Sequence, residues 1–194
     1  MCKDVIAIMT LFILLFQINP ASGQEKYEKE SRIKAREAPA RAIDFIDSLD
    51  IDARIKWYSE EGLDGKSVEA KYRKNKQKYS VEFDTLGNIQ DVEIKVKWAN
   101  LDAHLKDIIT EQLGKDCDKH KIRKVQIQYS GDRDEILAKT KGKDKATDIT
   151  TRYEIIVRCR ADWNVNLYEY LFSDAGQILT TSKIIFKNSS HLEY

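Results

Sequence analysis

The sequence predicts an α+β protein built as a tandem repeat, each unit a helix packed on a four-stranded antiparallel β-sheet. Three observations carry that prediction. The stretch Tyr79 to Val96 (YSVEFDTLGNIQDVEIKV) recurs as Tyr168 to Ile185 (YEYLFSDAGQILTTSKII), with Tyr79, Phe83, Gly87 and Ile89 matching Tyr168, Phe172, Gly176 and Ile178 at one constant offset. Each copy alternates apolar and polar residues on both sides of a short turn, with glycine where a positive φ is needed, which is the pattern of a β-hairpin. Upstream of each copy lies a segment whose apolar residues recur at helical spacing.

The first residues set the expected compartment. Val5 to Phe16 is a mostly apolar run, followed by Pro20, Ala21, Ser22 and Gly23 as a small-residue exit. That pattern predicts a signal peptide over 1–23, and hence a periplasmic or secreted protein. The run is shorter than the roughly 20 residues that cross a bilayer, so no stable membrane span is expected after cleavage. Cys117 and Cys159 then lie in an oxidising setting. They read either as a disulfide, worth about 4 kcal/mol in the chain-entropy account, or as two buried thiols.

Residues 24–37 form a charged leader with no apolar period, solvated or continued as a frayed helix. The first unit spans 38–98. Pro39 opens its helix, where a missing N–H is harmless, and Ala42, Phe45, Ile46 and Leu49 make one apolar stripe. Four alternating runs follow, around Trp57, Ala70, Val81 and Ile94. The second unit spans 99–187, with a helix capped by Asn100, carrying Leu101, Leu105, Ile108 and Ile109, and ended by Gly114. Its strands run through Val125, Ile155, Tyr170 and Ile178, and an insertion, 131–148, is polar and reads as a mobile hairpin or loop. Residues 188–194 are a tail.

Chemistry is sparse. The chain has 194 residues, 42% apolar and 34% charged, with a formal net charge of +1. Such a balance supplies no general field for nucleic acid, and none is expected as a partner. The aromatic residues alternate with Glu and Asp as often as with Lys, which suits core packing better than base stacking. His104, His120 and His191 have no relay or ligand spacing, and the cluster Asp116, Cys117, Asp118 and His120 lacks the second knuckle of a zinc site. Neither a nucleophile motif nor a phosphate-loop motif occurs. The expectation is no catalytic residue, no metal and no cofactor.

The helix EAPARAIDFIDSL, the hairpin YSVEFDTLGNI and the second copy YEYLFSDAGQIL resemble the PepSY-like proteins related to the beta-lactamase inhibitor protein fold, from about Ala38 to Phe186. Two departures are Leu101-Asp102, where Leu-Pro would be commoner, and the insertion. The resemblance implies an exported protein with two helix-backed sheets joined in one extended surface, which in the inhibitor grips a protein partner. It carries no catalytic residues over.

Strand parity adds a candidate surface. With Tyr168, Tyr170 and Phe172 facing the helix, the opposite face shows Leu167, Glu169 and Leu171 beside Ile156 and Arg158, whereas the first unit shows Glu69, Lys71, Ser80, Glu82, Lys95 and Lys97. The first sheet therefore reads as solvated and the second as an apolar, Arg-flanked docking face. The expected function is a non-enzymatic exported binding module for an unknown protein or peptide. The alternatives are a structural or self-associating protein, a homodimer included, and a small-ligand carrier using an aromatic wall near Trp57, Trp98 and Trp163.

Overall fold

A computed structural model describes residues 24–63, 65–142 and 148–185. The expected signal peptide over 1–23 and the expected tail over 188–194 lie outside them. In chain order the elements are β1 (Gln24–Lys26), β2 (Glu28–Ile33), α1 (Ala40–Ser48), β3 (Lys56–Gly62), β4 (Gly65–Lys74), β5 (Gln77–Asp84) and β6 (Ile89–Lys95), then α2 (Ala103–Asp116), β7 (Lys119–Gly131), α3 (Arg133–Thr140), β8 (Ile149–Ala161), β9 (Asn164–Ser173) and β10 (Ile178–Ile184).

The predicted fold class is corrected. Instead of two four-stranded sheets, one ten-stranded sheet runs β1-β10-β9-β8-β7-β6-β5-β4-β3-β2. Two things merge the units. First, β6 pairs directly with β7, from Val92↔Tyr129 to Lys95↔Gln126. Second, the expected leader is sheet: β1 runs parallel to β10 (Gln24↔Ser182, Lys26↔Ile184) while β2 runs antiparallel to β3 (Glu28↔Gly62, Ile33↔Trp57). Only Tyr27 separates β1 from β2, so one short segment joins both edges and the sheet curls into a near-barrel. Exposed edges present unpaired backbone groups, and this join pairs β3 from Trp57 to Gly62 and β10 from Ser182 to Ile184.

The repeated hairpins share their turn chemistry. The N–H of Asp84 donates to the Asn88 carbonyl and that of Gly87 to Asp84 (both 2.9 Å); the N–H of Ser173 donates to Gln177 (2.8 Å) and that of Gly176 to Ser173 (3.0 Å). Gly87 (φ +83°) and Gly176 (φ +80°) occupy the left-handed region at matching places. Each turn packs on a helix. A Cβ on Gly87 would lie 2.8 Å from Pro39 Cβ and 2.9 Å from the Ala42 nitrogen, whereas one on Gly176 would meet the Ile108 side chain at 3.0 Å.

The helices cover the outer face of the sheet. Ala42, Phe45, Ile46 and Leu49 are buried in a first core with Val81 and Phe83, and the Phe45 and Phe83 rings meet edge to face at 5.7 Å. Leu105, Ile109 and Leu113 of α2 build a second core with Val157, Tyr170 and Phe172. Asp102, rather than Asn100, caps α2, accepting from the backbone N–H groups of His104 and Leu105 (2.9 and 3.3 Å). Asp at that position answers the expectation of proline, since its side chain satisfies donors that a helix start leaves open. The helix also continues past Gly114 to Asp116.

The insertion is a second correction. Its described part contains α3, whose Ile136 is fully buried in the first core, with Leu137 packed beside it. A helix of the second unit thus seals the first. Burying one such aliphatic side chain stabilises by about 1.5–3 kcal/mol, which accounts for order in a segment otherwise polar.

Cys117 and Cys159 form a disulfide, with Cα atoms 5.4 Å apart, closing a separation of 42 residues and tying the end of α2 to β8. Replacing both by serine should lower unfolding free energy by about 4 kcal/mol, measured as a shift in urea midpoint that reductant does not enlarge. Gly87→Ala should destabilise by about 2 kcal/mol or more, because a positive φ and a backbone clash add. Gly176→Ala should lose less, since the flexible Ile108 can move; equal losses would contradict this reading of the two turns.

Candidate functional site

Curling places the parity opposite the helix-packed cores on the inside; from β3 to β7 that parity is polar, and neighbouring strands bring its charges together. Across β3, β4 and β5, Glu69 pairs with Tyr58 and Glu82, and Glu82 pairs in turn with Asp91 of β6. Across β8 and β9, Glu154 faces Leu171, Ile156 faces Glu169 and Arg158 faces Leu167. The five predicted docking residues Ile156, Arg158, Leu167, Glu169 and Leu171 are therefore neighbours on one face.

Their setting differs from the expectation. Ile156, Leu167 and Leu171 are half-buried on the strand parity that they share with Glu154 and Glu169, and Arg158 is exposed. Glu169 accepts from Lys26 Nζ at 2.7 and 2.8 Å, and Lys26 also contacts Glu28 at 3.0 Å. One ammonium thus ties the closing segment to the opposite wall. Burial alone would lower the pKa of Lys26, but the carboxylates of Glu169, Glu28 and Glu154 outweigh it and hold the pKa above its ordinary value.

The first unit's supposedly solvated face is likewise interior. Glu60, Glu69, Asp91 and Glu154 are among the buried polar residues. Burial, reinforced by the Glu69 charge, pushes Glu60 up to about 10, and burial with the Glu154 charge pushes Glu169 up to about 7. Asp91, buried beside Glu82 and Glu154, is raised well above the usual carboxyl value. Glu154 goes the other way, because Lys124 and Lys26 overcome its burial; Lys124 Nζ lies 3.1 Å from it.

Carboxylate oxygens of Glu30, Glu60 and Glu69 come within 4.8 Å of one another, the spacing of a cation site. A cation is already present. Lys71 Nζ lies 2.6 Å from Glu30 and 2.7 Å from Glu69, so the ammonium takes the place of a cation between them and offsets part of their charge.

Two cavities open at opposite ends of these strands. One, about 380 Å³, is bounded by Gly62 and Gly65, with Glu60, Glu82 and Glu169 on its walls. The other, about 800 Å³, is bounded by Lys56, Arg73 and Lys95 at the far ends of β3, β4 and β6. The first mouth mixes glutamates with Lys26 and Lys66, whereas the Lys and Arg side chains of the second meet no Asp or Glu in its lining.

The expected aromatic wall does not form. Trp57 is buried in the first core, Trp98 packs against the second, and Trp163 is 98% exposed at the β8–β9 turn, where Asp162 and Trp163 both have positive φ. The interior acids and lysines were visible in the sequence as a polar parity, but period two alone does not say whether a polar face meets solvent or its own opposite wall.

No protein-family model matches the chain, and no curated protein matches it. Among the described residues no helix is long and apolar enough to cross a membrane.

The buried carboxyls make stability pH-dependent. Glu60 has an ordinary value of 4.5 and a folded value of about 10, so the fold favours its neutral form; that stabilisation is complete below about 4.5 and is lost as pH rises towards 10. Glu169 adds the same sign up to about 7. The urea midpoint should fall between pH 5 and pH 9, and Glu60→Gln should flatten the slope; an unchanged slope in that variant would remove Glu60 as its origin.

Proposed function

We propose that the chain is a non-enzymatic, exported binding module that receives its ligand on the inner face of the curled sheet. The observation carrying this reading is that the interior is lined by ionisable groups and opens at both ends through cavities of about 380 and 800 Å³. Closed sheets of ordinary size fill their interior with side chains, whereas larger ones hold ligands, and ligand sites typically occupy about 300–1,000 Å³. Asp91 Oδ1, Gln126 Oε1 and Gln128 Oε1 are buried without a hydrogen-bonding protein partner. Unmade bonds of that kind each cost about 1–3 kcal/mol, so a purely structural role would favour apolar residues there.

The docking wall proposed from strand parity keeps its place within this reading, with a narrower range of occupants. Ile156, Leu167 and Leu171 face inward, so what reaches them is a small molecule or a narrow peptide segment rather than a flat protein surface. Export is supported by the Cys117–Cys159 disulfide, since such bonds persist in oxidising compartments, together with the signal-like start of the sequence.

The test is hydrogen exchange on the full chain against a panel of small anions, cations, sugars and short peptides. A ligand should protect amides of β5 and β9, and Ser80→Trp or Leu171→Glu should abolish that protection while the melting transition persists. A ligand that protects only the helix-covered outer face, and binds both variants unchanged, would refute the inner-face reading.

A further inference from the structure

The wider cavity is lined by seven Lys and Arg side chains and no Asp or Glu. Two of the seven are already committed: Lys71 to Glu30 and Glu69, and Lys124 to Glu154. The other five, Arg54, Lys56, Arg73, Lys78 and Lys95, take part in no ion pair among the described residues. All five are exposed at the rim. The chain as a whole carries a formal charge of only +1, so this concentration results from placement and not from general basicity.

The neighbouring acids do not relieve it. Gln126 Nε2 donates to Glu93, deeper in the interior, and Glu154 is held by Lys124. Meanwhile burial, together with the Lys78 and Lys124 charges, lowers the pKa of Lys95. Like charges gathered at one mouth repel each other and make a local positive potential that draws anions to it.

We propose that the basic mouth is a binding site for a small polyvalent oxyanion, a molecule carrying several phosphate or carboxylate groups. This proposal rests on the inner-face reading above and names its ligand class. Several cations spread around one rim suit several anionic groups better than a single monovalent ion, and the guanidinium forks of Arg54 and Arg73 match phosphate and carboxylate oxygens equally. Tyr58 stands on the same inner parity, while the Tyr72 and Tyr79 rings, stacked at 4.8 Å, fix the strands behind it from the core side.

Isothermal titration of the full disulfide-bonded chain with tripolyphosphate and with citrate tests the proposal. At low salt at least one should bind at one site per chain, and added chloride should weaken the binding. Arg73→Gln/Lys95→Gln should weaken it at least about tenfold, as expected for lost charge-assisted bonds. The same variant should melt no lower than the native chain, because it relieves repulsion. A control of equal charge change on the helix-covered outer side, Lys115→Gln/Lys141→Gln, should bind normally. Preference for tripolyphosphate or for citrate identifies a phosphate or a carboxylate ligand, and either supports the site. If both double variants lose affinity equally, binding is diffuse and the proposal fails. If neither probe binds while a neutral or cationic panel member protects β5 and β9, anion recognition fails and the inner-face reading survives.

Discussion

The structure depends on one closure. A ten-stranded sheet with a helix on each half would ordinarily end in two open edges, and here a single short segment pairs with both. The contacts that hold it are backbone ladders to β10 and β3 and the Lys26 ammonium shared by Glu28 and Glu169. Without that segment the polar parity would face bulk water. With it, the same side chains face each other across an interior, and their charges no longer have full solvation.

Everything unusual about the interior follows from that confinement. Carboxyls that would be inert on an open sheet become competing acids, some neutral and some held ionised by lysine. The cost of this arrangement is distributed unevenly: the Lys71 and Lys124 ion pairs balance the middle, while the mouth at Lys56, Arg73 and Lys95 keeps an excess of positive charge. Paired charges in a low-dielectric interior contribute little net stability against an apolar alternative, so the two cores on the outer face carry the fold.

The duplication and the closure act at different levels. The repeated turn explains why each hairpin packs its glycine against a helix, and the two helices bury their stripes in the same manner. The units are nonetheless not independent. Ile136, from within the second unit, completes the core of the first, and β6 and β7 hydrogen-bond along their shared edge. A repeat that shares its core and its sheet behaves as one body even though its sequence divides cleanly into two.

Local order was legible in the sequence because it has local causes. The helical stripe of Ala42, Phe45, Ile46 and Leu49, the period-two strands and the glycine turns at Gly87 and Gly176 are written in residues a few positions apart, and the neighbourhood of Ile156, Arg158, Leu167, Glu169 and Leu171 followed from strand parity. What those local patterns leave open is the long-range pairing. Nothing in Gln24 to Ile33, a run of charges with no apolar alternation, marks it as two strands, because its pairing partners supply the backbone hydrogen bonds and lie far away along the chain. Whether Glu69 or Lys95 meets water or an opposite wall depends on curvature, which sums small twists over ten strands. The sequence by itself determined the elements, their turns and the outer cores; only the tertiary structure decided that the polar face is an inside, since inside and outside are properties of a closed sheet and not of any one strand.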